Sequence, residues 1–206
     1  MCLAEKTIGV TPIAHMARRT STFVLWIALL AVFISRAPLA WPQSGGTIGY
    51  QVKAAFLLNF AKFIDWSPGT FANPQSPLVV CVLGQDPFGN ILDDTLQGKA
   101  IGDRPFIVRR LKDKIDARHC QMVFVSSSES PHLPEILESL RGANVVVVGE
   151  ANGFATSGGM IEFTIEDNHV RFSINTDAAN RSGLKFSSKL LALARIVHDG
   201  SPAKGE

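Results

Sequence analysis

The side chains able to do chemistry in this 206-residue chain gather in three short polar stretches and one pair of cysteines. Gly84-Gln85-Asp86 follows an apolar run ending at Leu83, Ser126-Ser127-Ser128-Glu129 follows one ending at Val125, and Gly149-Glu150-Ala151-Asn152-Gly153-Phe154 follows Val145-Val146-Val147-Val148. Each stretch offers small polar groups and backbone donors suited to a small anionic or zwitterionic ligand. Gly84, Asp86, Ser126, Ser127, Glu150 and Asn152 are the candidate ligand-loop residues. The same residue types also make turns and cap helices, and that role competes with ligand binding at every one of them. A hydrolase centred on residues 126–128 has less support, because no Gly-x-Ser-x-Gly elbow occurs. No Walker lysine motif, His-Glu-x-x-His or Gly-x-Gly-x-x-Gly is present either. His119, His132, His169 and His198 stand singly, so no metal or cofactor site is expected and the reading is not that of an enzyme. Catalytic groups can still converge from distant loops.

Whether Cys81 and Cys120 bond depends on compartment, which the first forty residues address. Arg18 and Arg19 precede an apolar run over residues 23–34, followed by Ser35-Arg36-Ala37-Pro38-Leu39-Ala40. An apolar run this short behind a positive n-region fits a secretory signal, whereas a spanning helix needs roughly 20 apolar residues. Thr20-Ser21-Thr22 separates the arginines from Phe23, which favours an ordinary secretory signal over a twin-arginine one. Residues 1–40 are therefore expected to be a signal peptide cleaved near Ala40, with Met16 an alternative start, and residues 41–206 a single periplasmic domain. Cys2 would leave with the signal, so Cys81 and Cys120 are predicted to form one disulfide in an oxidising space. On the chain-entropy model it would stabilise the fold by roughly 3–4 kcal/mol. The alternative is two free, buried cysteines at strand edges. Residues 1–40 also hold four of the 20 Lys and Arg and one of the 18 Asp and Glu. The remainder is close to neutral, near −1, which leaves no electrostatic footprint for nucleic acid.

Positioning these groups requires alternating elements. Residues 50–64 read as a helix closed by Trp66-Ser67-Pro68-Gly69, and residues 78–83 as a strand buried on both faces. Asp86 and Pro87 read as the N-cap and first position of a second helix. Strands follow at 105–111 and 122–125, a helix at about 133–140, and a strand at 145–148. Residues 160–165 and 170–175 alternate apolar and polar around a short polar link, which predicts an antiparallel hairpin. A final helix is expected over about 187–198, capped by Ser187 or Ser188. The fold class is α/β: an open mixed sheet with a parallel centre, helices on both faces and the C-terminal antiparallel hairpin at its edge.

The first helix is unusual because it is apolar around much of its circumference. Val52, Phe56, Phe60, Phe63 and Ile64 share one broad face, with Gln51, Asn59, Lys62 and Asp65 opposite. Leu58 intrudes on the polar side and Lys53 on the apolar one. Such a helix is either wedged between layers or offers part of its surface to a partner, and Lys53, Leu58, Asn59 and Lys62 are the candidate partner-binding residues.

Here the residues carry a likeness. Gln51-Val52-Lys53-Ala54-Ala55-Phe56-Leu57-Leu58-Asn59-Phe60-Ala61-Lys62-Phe63-Ile64-Asp65-Trp66 resembles the opening signature of the YfiR family of small periplasmic proteins. The likeness continues at residues 81–89, 120–126, 158–161, 170–175, 182–185 and 187–191. It implies a periplasmic α/β protein without known catalysis, which binds the periplasmic sensor domain of an inner-membrane diguanylate cyclase and represses it. Cyclic di-GMP and biofilm formation are thereby lowered, and an OmpA-like outer-membrane lipoprotein relieves the inhibition. The likeness also implies that Cys81 and Cys120 pair. The family's second disulfide has no counterpart here, since no cysteines remain. A histidine kinase or other membrane partner, with a small-molecule sensor acting on it, is the competing reading, and self-association as a homodimer stays open.

Overall fold

The computed structural model describes residues 44–201, so the expected signal peptide and its cleavage point lie outside the described residues. Helix α1 (Ser44–Lys62) leads into a two-residue strand β1 (Ile64–Asp65). β2 (Leu78–Leu83), β5 (Met122–Val125) and β6 (Val146–Gly149) are buried at every position. That is the pattern of central parallel strands covered on both faces. β4 (Arg104–Leu111), with the two-residue β3 (Ala100–Ile101) beside it, lies next to β2 and is half-exposed. With β7 (Ile161–Glu166), β8 (His169–Asn175) and β10 (Arg195–Val197), the main sheet runs β10-β8-β7-β6-β5-β2-β4-β3. Pairing is parallel from β7 through β4 and antiparallel between β7 and β8. The hairpin link Asp167-Asn168 has both residues at positive φ, 50° and 60°, as a two-residue turn matched to strand twist requires.

Crossovers in such sheets are right-handed. The connection from β2 to β4 and the one from β5 to β6 travel in opposite directions along the sheet, so their helices fall on opposite faces. α2 (Asn90–Leu96) covers one face and α3 (Leu133–Leu140) the other. α1 packs on α2 and β8, and a 3-10 turn, Lys114–His119, packs beside α3. α1 is anchored by aromatic contacts: Phe60 lies 5.7 Å from Phe163 and 5.0 Å from Phe172 between ring centroids, and Phe56 lies 5.2 Å from Phe172.

Three expectations are corrected. The second helix begins at Asn90, not at Pro87, because the Asp86 carboxylate accepts the Phe88 N–H and holds the chain in a turn. The long C-terminal helix is one turn, α5 (Ser188–Leu191), capped by Ser187, and the chain then forms β10 (Arg195–Val197). β10 pairs in parallel with β8, and Arg195 binds Glu166 at 2.5 Å. The open edge of β8 captures the β-branched Ile196-Val197 pair more favourably than an isolated amphipathic helix could hold it. The β7–β8 hairpin is consequently one strand in from the edge, and its rim is not a free docking surface. β9 (Lys185–Phe186), after the short helix α4 (Thr176–Arg181), joins β1 in a separate antiparallel sheet. Two more bonds complete this clasp, from Ser187 N–H to the Phe63 carbonyl at 2.9 Å and from the Ser67 hydroxyl to the Gly183 carbonyl at 2.5 Å.

Candidate functional site

Ligands in open α/β sheets sit beyond the carboxyl ends of the strands, where successive connections part in opposite directions. Here that point lies above β2 and β5. The loops that follow these strands are joined: Gln85 N–H donates to the Ser128 hydroxyl at 2.9 Å. Gly84, at φ +90°, is pressed so close that a Cβ there would stand 2.6 Å from Ser128 Oγ and 2.7 Å from Glu129 Cγ. No other residue fits this position. Beside the joined loops opens a cleft of about 580 Å³, whose apolar lining comes from Leu83, Leu111 and Ile136. Its polar lining includes Lys112 and Lys114 from the loop after β4, a contribution that inspection of glycine- and serine-rich turns overlooked. The available signal was a Lys-x-Lys directly after a strand.

Three of the other candidate loop residues, Asp86, Ser126 and Glu150, have structural partners, while Ser127 and Asn152 are exposed. Asp86 binds Arg110 Nε at 2.9 Å, and the same guanidinium holds Asp93 and the Gly89 carbonyl. The hydrogen bond from Arg110 keeps the Asp93 carboxyl below its ordinary pKa. Ser126 is buried, and its hydroxyl caps the following 3-10 turn (Ser127–His132) by accepting from Ser128 N–H, while Ser127 is exposed. Glu150 does not join the first two loops. Its side chain is buried, accepting from Lys53 Nζ at 2.6 Å and from the Tyr50 hydroxyl at 3.2 Å. Lys53 Nζ also lies 4.5 Å above the Tyr50 ring. Burial, then the charge and hydrogen bond of Glu150, push the Tyr50 phenol up to about 12. Asn152 is exposed on the same loop.

Along α1 the buried arc is Lys53, Ala54, Leu57, Phe60 and Ala61, continued by Ile64. Small residues at 54 and 61 let the helix lie close to the sheet, and Glu150 lets Lys53 enter. Lys53 is therefore part of the interior, not of the docking surface expected of it. Phe56 and Leu58 mark the two half-buried borders of this arc. Ile48 (60 % exposed), Val52 (37 %) and Phe63 (37 %) face outward with Ala55, Asn59 and Lys62. At ~100° per residue these six fall within one stripe roughly 100° wide. Val52 and Phe63, expected in the core, belong to this exposed stripe.

The family model described as YfiR/HmsC-like matches residues 50–195. The chain belongs to the YfiR/HmsC-like family. This is a family of periplasmic regulators of diguanylate cyclase activity, regulatory and not catalytic in character. Among solved structures, a conserved domain protein from Vibrio cholerae O1 biovar El Tor aligns with a TM-score of 0.50 at 9% identity, over 71% of this chain and 59% of that one. This chain thus spans less than two thirds of the length of that structure, and the likeness establishes a shared α/β fold. An ABC domain from Streptococcus pneumonia in complex with L-Trp aligns with a TM-score of 0.44 at 9% identity, over 58% of this chain and 55% of that one. In the YfiR/HmsC-like fold the matched region begins within α1 and ends at the start of β10, so the joined loops, the cleft and the exposed stripe from Val52 onward lie inside it, while Ile48 precedes it. Cys81, in mid-β2, and Cys120, two residues before β5, form the disulfide expected from compartment and family, with 6.1 Å between their Cα atoms. No group of three or more metal-ligating side chains occurs among the described residues, and none of their helices is long and apolar enough to cross a membrane.

Proposed function

We propose that this protein is a non-enzymatic periplasmic regulator that docks on the periplasmic sensor domain of an inner-membrane diguanylate cyclase and holds it inactive, lowering cyclic di-GMP and restraining biofilm formation. The observation that carries this reading is the YfiR/HmsC-like match across residues 50–195. The outward stripe of α1 supports docking as the mode of action, because contiguous exposed apolar residues with polar neighbours are a common feature of protein contact sites. Asn59 stands in the middle of that stripe, Lys62 at its edge and Leu58 on the half-buried border beyond that edge. In this reading an OmpA-like outer-membrane lipoprotein relieves repression by competing for the regulator.

Deleting the gene should raise cyclic di-GMP and surface attachment, and deleting the cognate cyclase as well should cancel the rise. Unchanged cyclic di-GMP, with a histidine kinase recovered when the protein is used as bait for solubilised membranes, would replace the cyclase by a kinase. The export reading is checked on the same strain: osmotic shock should release a species whose intact mass corresponds to a start near Trp41.

A further inference from the structure

Glu162, on β7, is a buried carboxylate that the docking surface does not use. Strand alternation points it away from Phe163 and α1, toward the loop that follows β6. There it clamps the backbone: Oε1 accepts the Gly153 N–H at 3.0 Å and Oε2 the Ala155 N–H at 2.9 Å. Between these two residues the Phe154 ring is packed so tightly that a Cβ at Gly149 would stand 2.4 Å from it, and one at Gly159 2.1 Å. The Phe154 N–H closes a turn onto the Ala151 carbonyl at 3.0 Å, with Asn152 and Gly153 at its centre and Gly153 at φ +74°. Asn152 is exposed.

Asn152-Gly153 is the single Asn-Gly step in the chain. In such a step the glycine nitrogen can attack the asparagine carboxamide carbon, because no side chain on the glycine hinders the approach. The nitrogen must first lose its proton and swing toward the carboxamide. Here that proton is donated to Glu162, so the swing breaks a charge-assisted hydrogen bond, and the adjacent carboxylate disfavours an amide anion.

We propose that Asn152 is a latent self-modification site, a succinimide-forming asparagine that Glu162 holds unreactive in the folded protein. When the clamp opens, the Gly153 nitrogen bonds to Asn152 Cγ, its proton passes to hydroxide, and ammonia leaves as the Cγ–Nδ2 bond breaks. Water then opens the cyclic imide at either carbonyl. One opening gives aspartate, and the other gives isoaspartate with the backbone rerouted through Cγ. Rerouting lengthens by a methylene the loop that carries Glu150, the partner of Lys53. The site is separate from the α1 stripe, and its failure leaves the regulatory reading untouched.

The test incubates purified protein at mildly alkaline pH, folded and in urea, and follows conversion as a mass gain of about 1 Da assigned to Asn152 by peptide mapping. The folded parent should convert about tenfold to a hundredfold more slowly than the unfolded chain, the factor for breaking a hydrogen bond to a charged group first. Glu162→Gln should accelerate conversion of the folded protein, whereas Leu57→Ala, which weakens the core without touching the loop, should not. If Glu162→Gln does not fold, hydrogen exchange on the parent takes its place: mild urea that unprotects the Gly153 amide should speed conversion in step. Four results overturn the proposal: no conversion in the unfolded chain, equal rates in the folded and unfolded parent, no acceleration in a folded Glu162→Gln, or equal acceleration by Leu57→Ala. Conversion that ignores Gly153 exposure overturns it as well.

Discussion

A lysine inside a helix–sheet interface needs a counter-charge, and Glu150 supplies it for Lys53. Replacing the pair with apolar residues can be nearly neutral, but removing one member leaves a buried charge alone. Lys53→Met should therefore destabilise the fold by about 3–5 kcal/mol in urea titration, and adding Glu150→Gln should restore part of the loss. A cost near zero would mean that water already reaches the Glu150 carboxylate. Tyr50 gives a second handle because it is the only tyrosine in the chain, so tyrosinate absorbance reports it alone. The unfolded chain releases the phenolic proton near the ordinary 10.0 and the folded chain near 12. Between those values the unfolded state binds fewer protons, so stability is intact below pH 10.0 and falls as pH rises toward about 12. Lys53 was legible in the sequence only as a misfit on an apolar arc. Its partner lies almost a hundred positions away, and nothing local to either residue announces the pairing.

At the scale of elements, α1 turns two different faces to two different tasks. Val52→Glu should leave the unfolding midpoint almost unchanged while weakening capture of the membrane partner, since exposed substitutions cost within about 0.5 kcal/mol. Leu57→Ala, on the buried arc, should cost about 2–5 kcal/mol. If Val52→Glu unfolds the protein as readily as Leu57→Ala, the outward stripe is covered and the docking face has to be abandoned. The strands were well marked in the sequence: the valine-rich runs of β2, β5 and β6 and the alternation of β7 and β8 fall where expected. The rotation of α1 was not, because Val52 and Phe63 are more hydrophobic than Ala54 and Ala61, yet the alanines permit the closer approach to the sheet. β10 escaped notice for a related reason. Its three residues form a strand because β8 offers an open edge, a tertiary fact that outweighs the helical spacing of the preceding leucines.

For the molecule as a whole, the disulfide ties the middle of β2 to the segment leading into its neighbour β5, across a separation of 39 residues. Replacing Cys81 and Cys120 by serine should lower stability by about 2–5 kcal/mol and the thermal midpoint by several degrees. Alkylation without reductant should label neither thiol, and free labelling of both would refute the bridge in the secreted protein. The sheet order and the opposite crossovers follow from the alternation of elements, whereas the small β1–β9 sheet could not be read from two-residue segments so far apart. That clasp orders events in time. Synthesis delivers α1 first, but the strand that fastens its carboxyl end comes after every strand of the main sheet except β10. At ordinary elongation rates the wait is on the order of 10 s. Throughout it the nascent helix carries apolar residues on both faces with no partner for its carboxyl end, which makes α1 the segment a holding chaperone should grip and release last.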